Sequence, residues 1–316
     1  MRKRKAGPTD LEVPVIMLGG NVFGWTVGEE DSFALLDQAF DAGLNFIDTA
    51  DVYSRWVPGH TGGESETIIG KWFARSGRRN DVVLATKVGM DMGDGRQGLK
   101  PEYIQRAVED SLRRLQTDRI DLYQSHKDDE TTPNEDTLGA YARLIEAGKV
   151  RYIGASNYTG ARLRKALETA GRTGLPAYAT LQPHYNLMER QGYESDLAPV
   201  VAEHGIGVIP YYSLASGFLS GKYRSADDTA GKARGRGVAK YLNERGFAVL
   251  AALDEIAGEH RSTPAAVALA WLIAQPGITA PIASATSAPQ MEDLISATQL
   301  KLDAGSVQKL SDASGY

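Results

Sequence analysis

There is no cysteine anywhere in these 316 residues. That absence removes disulfides, a thiolate nucleophile and cysteine-based metal sites together. No run approaches the roughly 18 apolar residues of a membrane span, and no apolar signal-peptide core follows the basic start Arg2-Lys3-Arg4-Lys5. Cations are not in excess either. Lys and Arg number 35 against 40 Asp and Glu, a formal charge of −5, which argues against a nucleic-acid surface. A dinucleotide fingerprint is missing as well. Gly19-Gly20-Asn21-Val22-Phe23-Gly24 lacks the G-x-G-x-x-G order, and no helix opens directly on it. What remains is a globular chain, expected in the cytoplasm, whose 42% hydrophobic content is too high for disorder. Residues 1–10 are expected as a solvated basic tail on a single domain spanning 1–316.

The apolar pattern alternates between two periods along the chain. Strands are expected at 12–18, 44–48, 82–87, 120–126, 150–155, 179–182, 207–212 and 278–283. Helical patterns lie between them, as at 30–42, 101–115 and 264–274. The 101–115 helix opens on Pro101, well suited to a first turn. A polar segment, 222–243, interrupts the rhythm before helices at 247–257 and 264–274. Strand–helix alternation predicts parallel βαβ units. Eight of them in one domain of this size predict an α/β protein of the (β/α)8 TIM-barrel class rather than an open sheet.

Reactive groups of such a barrel sit at the C-terminal ends of its strands. The stretch Leu44-Asn45-Phe46-Ile47-Asp48-Thr49-Ala50-Asp51-Val52-Tyr53 ends an apolar strand in a carboxylate. An unpaired charge there is expensive. A cation ends the next strand at Lys87, and His126 ends the one after. Singly, Asp48 would pass for a helix cap, Tyr53 for a rim aromatic, Lys87 for a loop lysine and His126 for a core histidine. Together they fit one another. A phenol titrates near 10 and is a poor acid at neutral pH. An ammonium beside it favours the phenolate, a carboxylate holds the ammonium, and a histidine can orient a carbonyl oxygen. That is a general acid for carbonyl reduction, or a base for the reverse.

The set resembles the aldo-keto reductase superfamily, nearly end to end. The resemblance runs through D-T-A-x-x-Y at 48–53, Gly63-Glu64-Ser65-Glu66-Thr67-Ile68-Ile69-Gly70, Ala85-Thr86-Lys87, the 120–126 strand, Gly154-Ala155-Ser156-Asn157, Gln182-Pro183-His184-Tyr185-Asn186 and Pro210-Tyr211-Tyr212-Ser213. It implies a (β/α)8 barrel with Tyr53 as proton donor, Asp48 and Lys87 tuning it, and His126 orienting the carbonyl. It implies that Ser156, Asn157 and Gln182 bind the nicotinamide carboxamide and that Tyr211 stacks on the ring. The run Ser213, Leu214, Gly217, Gly221 and Lys222 corresponds to the pyrophosphate loop, and Ser284, Thr286, Gln290 and Asp293 to the adenosine end. No metal ligand is implied.

At that adenosine end none of Ser284, Thr286 and Gln290 carries charge, where family members often have Lys or Arg for a 2′-phosphate. Arg224 or Lys222 is expected to supply the charge from the 222–243 loop. The cofactor expected is NADPH, with NADH possible, and the partner a small carbonyl or alcohol substrate rather than nucleic acid or membrane. A branch of the same family includes potassium-channel β subunits, so a cofactor-binding sensor with little turnover is the competing expectation. A phosphate-binding isomerase is disfavoured because 281–287 is poor in glycine. Substrate choice is expected from the mouth loops that carry Trp25, Trp56, residues 90–97 and 222–243.

Overall fold

In the computed structural model, which describes residues 1–232 and 235–316, ten strands form. They are β1 (Lys3–Lys5), β2 (Glu12–Pro14), β3 (Met17–Gly19), β4 (Phe46–Asp48), β5 (Val83–Val88), β6 (Ile120–Ser125), β7 (Val150–Ser156), β8 (Thr180–Gln182), β9 (Gly207–Val208) and β10 (Ile282–Ala283). The last eight make one parallel sheet in the order β10-β3-β4-β5-β6-β7-β8-β9. It closes on itself, because Thr279 N donates to Val208 O at 2.7 Å and Ile282 N to Pro210 O at 2.9 Å. The expected (β/α)8 barrel is therefore the architecture.

Some expected strands are shorter. The 207–212 run pairs only through Val208, followed by a single bridge between His184 and Tyr211. Pro183 and Pro210 flank that bridge and lack the N–H a ladder needs. The 12–18 run splits in two, and a further helix, Ala304–Ala313, follows the last expected one.

Residues 1–10 are not a solvated tail. β1 pairs antiparallel with β2, and this hairpin caps the N-terminal end of the barrel. Its Ala6, Leu11 and Val13 pack with Met17, Phe46, Ala85, Leu122, Ile209 and Ile282 from inside the barrel. The Arg4 guanidinium donates to the carbonyls of Ile278 and Ile273. Four consecutive basic residues read as a tail because nothing nearby in sequence marks those distant acceptors.

Strand alternation turns this apolar interior into a polar mouth. Side chains two residues apart share a face. Above Phe46 therefore comes Asp48, above Ala85 comes Lys87, above Leu122 comes Gln124, and above Thr180 comes Gln182. In the ladder Asp48 stands beside Ala85 and Lys87 beside Gln124, so Lys87 lies one inward step beyond Asp48 and its long side chain spans that step.

Candidate active site

Lys87 and Asp48 form the centre. The ammonium is completely buried and the carboxylate 2% exposed, 2.7 Å apart. Lys87 Nζ donates to Asp48 Oδ2, to Thr49 O at 2.8 Å and to the Tyr53 hydroxyl at 2.8 Å. Three acceptors for three N–H groups hold the lysine charged and fixed. Tyr53 in turn donates to Asp48 Oδ2 at 3.1 Å. The other carboxylate oxygen accepts from Gln182 Nε2 at 3.0 Å and, at 3.5 Å, from Gln124 Nε2. Thr49 O and Gln124 were not singled out from the sequence. The inward parity of Gln124 beside Lys87 was the signal for it.

Burial pushes the Tyr53 phenol well above its ordinary value, and the neighbouring Asp48 carboxylate pushes the same way. The lowering expected from Lys87 is thus outweighed. The hydroxyl keeps its proton through the neutral range and is an acid in waiting, with Lys87 placed to stabilise the phenolate once that proton leaves. Burial also lowers Lys87, opposed by Asp48. His126 lies edge-on to Tyr53, ring centroids 5.9 Å apart. Burial first, and then Lys87, hold its imidazole well below the usual histidine range, so it is neutral. Its Nδ1 is buried and meets no partner among the described residues.

The residues expected at the nicotinamide cluster around the next strand ends. Ser156 Oγ donates to Gln182 O at 2.9 Å. Asn157, in the left-handed region with φ of 55°, donates through Nδ2 to His126 O at 2.8 Å, and its Oδ1 accepts from the Tyr211 hydroxyl at 2.8 Å. Gln182 has a second task not read from the sequence, because its amide nitrogen is committed to Asp48.

The 213–221 loop follows. Ser213 Oγ donates to Pro210 O at 3.1 Å, and Leu214 is half-buried against the core. Ser216 and Gly217 are left-handed, with φ of 61° and 95°. Gly221 ends the loop at φ of 78°, and Lys222 Nζ lies 5.2 Å from the Tyr223 ring centre. Successive left-handed residues turn backbone amides to one side, which suits a dianion. At the far end Ser284 donates to Asn21 Oδ1 at 2.6 Å, Gln290 Oε1 accepts from Thr286 N and Oγ1, and Thr263 donates to Asp293 Oδ1 at 2.8 Å.

Arg224 is not a loose cation over that end. Both arms of its guanidinium reach Asp254, each at 2.8 Å. A bidentate carboxylate is the stronger claim on a guanidinium. The fork does lie beside the 213–221 loop, where Arg224 Nε donates to Gly221 O at 2.7 Å.

Behind the mouth lies a second buried acid. Both oxygens of Asp51 are buried without a partner among the described residues, while neighbouring Glu66 accepts from Thr86 Oγ1 and Arg114 Nε. Burial and then Glu66 raise Asp51 well above the ordinary carboxylate value. The folded state therefore keeps a proton that the unfolded chain releases, and stability falls as pH rises above about 4 towards that raised value. Asp51→Asn should remove this slope. Melting temperature followed from pH 5 to 8 is expected to favour the variant increasingly at the alkaline end. A difference that does not change with pH would assign Asp51 an ionised state.

At the C-terminal mouth of a (β/α)8 barrel, then, a phenol, an ammonium and a carboxylate stand within hydrogen-bond reach of one another, beside a loop with successive left-handed residues. The description of the aldo/keto reductase family matches residues 15–314. The chain belongs to that family, whose members are oxidoreductases of small carbonyl compounds that use nicotinamide cofactors. It is 38% identical over 313 residues to an uncharacterized oxidoreductase, YrpG, of Bacillus subtilis, covering 97% of this chain and 94% of that one. It is 31% identical over 308 residues to the L-glyceraldehyde 3-phosphate reductase of Escherichia coli K12, covering 94% and 87%. A probable voltage-gated potassium channel subunit beta of rice, Oryza sativa subsp. japonica, is 32% identical over 299 residues, covering 92% and 89%. Among the described residues no helix is long and apolar enough to cross a membrane.

Proposed function

We propose that the protein is an NADPH-dependent carbonyl reductase in which Tyr53 protonates the carbonyl oxygen. The observation that carries this is the Tyr53 hydroxyl held at 2.8 Å from an ammonium that is itself fixed by Asp48 and Thr49 O. When bound, the nicotinamide supplies a hydride to the carbonyl carbon. Tyr53 gives its proton to the oxygen, Lys87 stabilises the phenolate left behind, and neutral His126 orients the carbonyl. Ser156, Asn157, Gln182 and Tyr211 hold the nicotinamide end, Ser213 to Lys222 the pyrophosphate, and Ser284, Thr286, Gln290 and Asp293 the adenosine. Microscopic reversal makes Tyr53 the base for alcohol oxidation.

The mouth supports flat apolar carbonyl compounds. Trp25 and Trp56 meet edge to face with centroids 5.5 Å apart, and Trp56 stands 6.1 Å from Tyr53 while 48% exposed. Loss of NADPH absorbance with an aromatic aldehyde, an aliphatic aldehyde and a keto-sugar is the direct test. A trace flat for all three would favour the cofactor-binding sensor, the reading supported by the likeness to the rice channel subunit.

Cofactor choice rests on Arg224. Neutral donors answer a 2′-phosphate weakly, and a charge-assisted bond is roughly twice as strong. With the fork tied to Asp254, the margin for NADPH over NADH is expected to be small. Asp254→Asn should free the guanidinium and widen it, whereas Arg224→Ala should narrow it and flatten its salt dependence. Paired titrations of both cofactors at low and high ionic strength measure this. An unchanged ratio in both variants would leave the neutral donors as the whole site.

A further inference from the structure

We infer that His184 is a positioning residue for the cofactor, the back support of the Tyr211 platform. The inference rests on the proposed function, in which Tyr211 carries the nicotinamide ring. The imidazole of His184 lies nearly parallel to the Tyr211 ring, 14° between planes and 5.3 Å between centroids. That is an offset stack. His184 therefore covers one face of Tyr211, and in the proposed function the nicotinamide would stack on the other.

The ring is held at its far end too. Its hydroxyl donates to Asn157 Oδ1 at 2.8 Å, and the Tyr212 ring lies in a T-shaped contact with it, centroids 5.3 Å apart. His184 itself stands on a rigid turn. Asn186 Nδ2 donates to Tyr212 O at 2.9 Å, and Asn186 Oδ1 accepts from the amides of Met188 and Glu189. Glu189, at the end of that turn, takes Lys240 Nζ at 2.5 Å and the Tyr241 hydroxyl at 2.9 Å. The turn is thus anchored on both sides, and His184 transmits that rigidity to Tyr211.

The physical effect is preorganisation. A tyrosine free to swing must be ordered when the cofactor binds, and that cost appears in the affinity. Because Tyr211 also orients Asn157, one support serves two contacts to the nicotinamide. The support acts before the chemical step and on ground state and transition state alike, so it belongs to binding rather than to turnover.

Three variants separate a stack from a hydrogen bond. His184→Phe keeps a flat ring and loses the nitrogens. His184→Asn keeps a polar neighbour for Asn186, whose Nδ2 lies 3.5 Å from His184 Nε2, and loses the ring. His184→Ala loses both. NADPH titration by fluorescence and steady-state reduction of an aldehyde are measured for each. Ala and Asn are expected to weaken NADPH about 3- to 10-fold, the worth of one aromatic pair, raising the cofactor KM with kcat within about twofold of wild type. Phe is expected to restore both. Unchanged affinity in Ala, Asn acting as wild type while Phe acts as Ala, or kcat falling in step with affinity would each overturn the inference. Failure of the wild type to bind either nicotinamide cofactor would instead overturn the proposed function, and the inference with it.

Discussion

Tyr53→Phe should lose turnover by a factor on the order of 10²–10⁴, the usual worth of a positioned general acid. The substitution removes one oxygen and little else. Lys87 keeps Asp48 and Thr49 O as acceptors, so the buried pair survives and the fold should hold. The hydroxyl is not among the groups proposed to bind the cofactor, so NADPH affinity should hardly move. The measurement is kcat with NADPH and an aldehyde, beside a cofactor titration of the same variant. A Phe variant that turns over at the wild-type rate would remove Tyr53 from the chemistry.

Lys87→Met is the change expected to cost the most stability. It leaves the Asp48 carboxylate buried among neutral donors, the Tyr53 hydroxyl and the amides of Gln182 and Gln124. Stranding one half of a buried pair costs roughly 3–5 kcal/mol. Turnover should fall as well, since nothing then stabilises the phenolate, and the decline in rate that follows loss of the Tyr53 proton should move to higher pH. The double variant Lys87→Met/Asp48→Asn discriminates. With both charges gone, urea unfolding should return part of the lost stability, a coupling that independent sites lack. Strictly additive losses would show that the two side chains do not act as a pair.

That Asp48, Tyr53, Lys87 and His126 would meet was readable because strand alternation made it so. Asp48, Lys87 and His126 each end an apolar strand, and period two sends the first two inward on neighbouring strands, one inward step apart. The eight β/α repeats were readable for the same reason, as a change of period that needs no knowledge of partners. What stayed hidden depends on distance through space. Arg4 gave no hint that carbonyls of residues 273 and 278 awaited it. Arg224 looked like a spare cation because Asp254 lies thirty positions on, across a helix. The direction of the Tyr53 shift was hidden too. Proximity to an ammonium follows from sequence, but burial, the larger cause, follows only from the closed barrel.

The hairpin beneath the barrel bears on the order of assembly. Arg4 makes its two bonds with residues 269 and 274 positions later in the chain. The first strand of the sheet pairs with the last in the same way, Met17 N meeting Pro281 O. During synthesis the hairpin must therefore wait for residues about 270 positions later before its guanidinium and its apolar face find their places. Contacts of such long sequence separation slow folding, because loop-closure entropy is lost before the contact compensates it. Until then Leu11, Val13 and Met17 lack the later barrel strands that cover them, and apolar surface left open in this way invites aggregation.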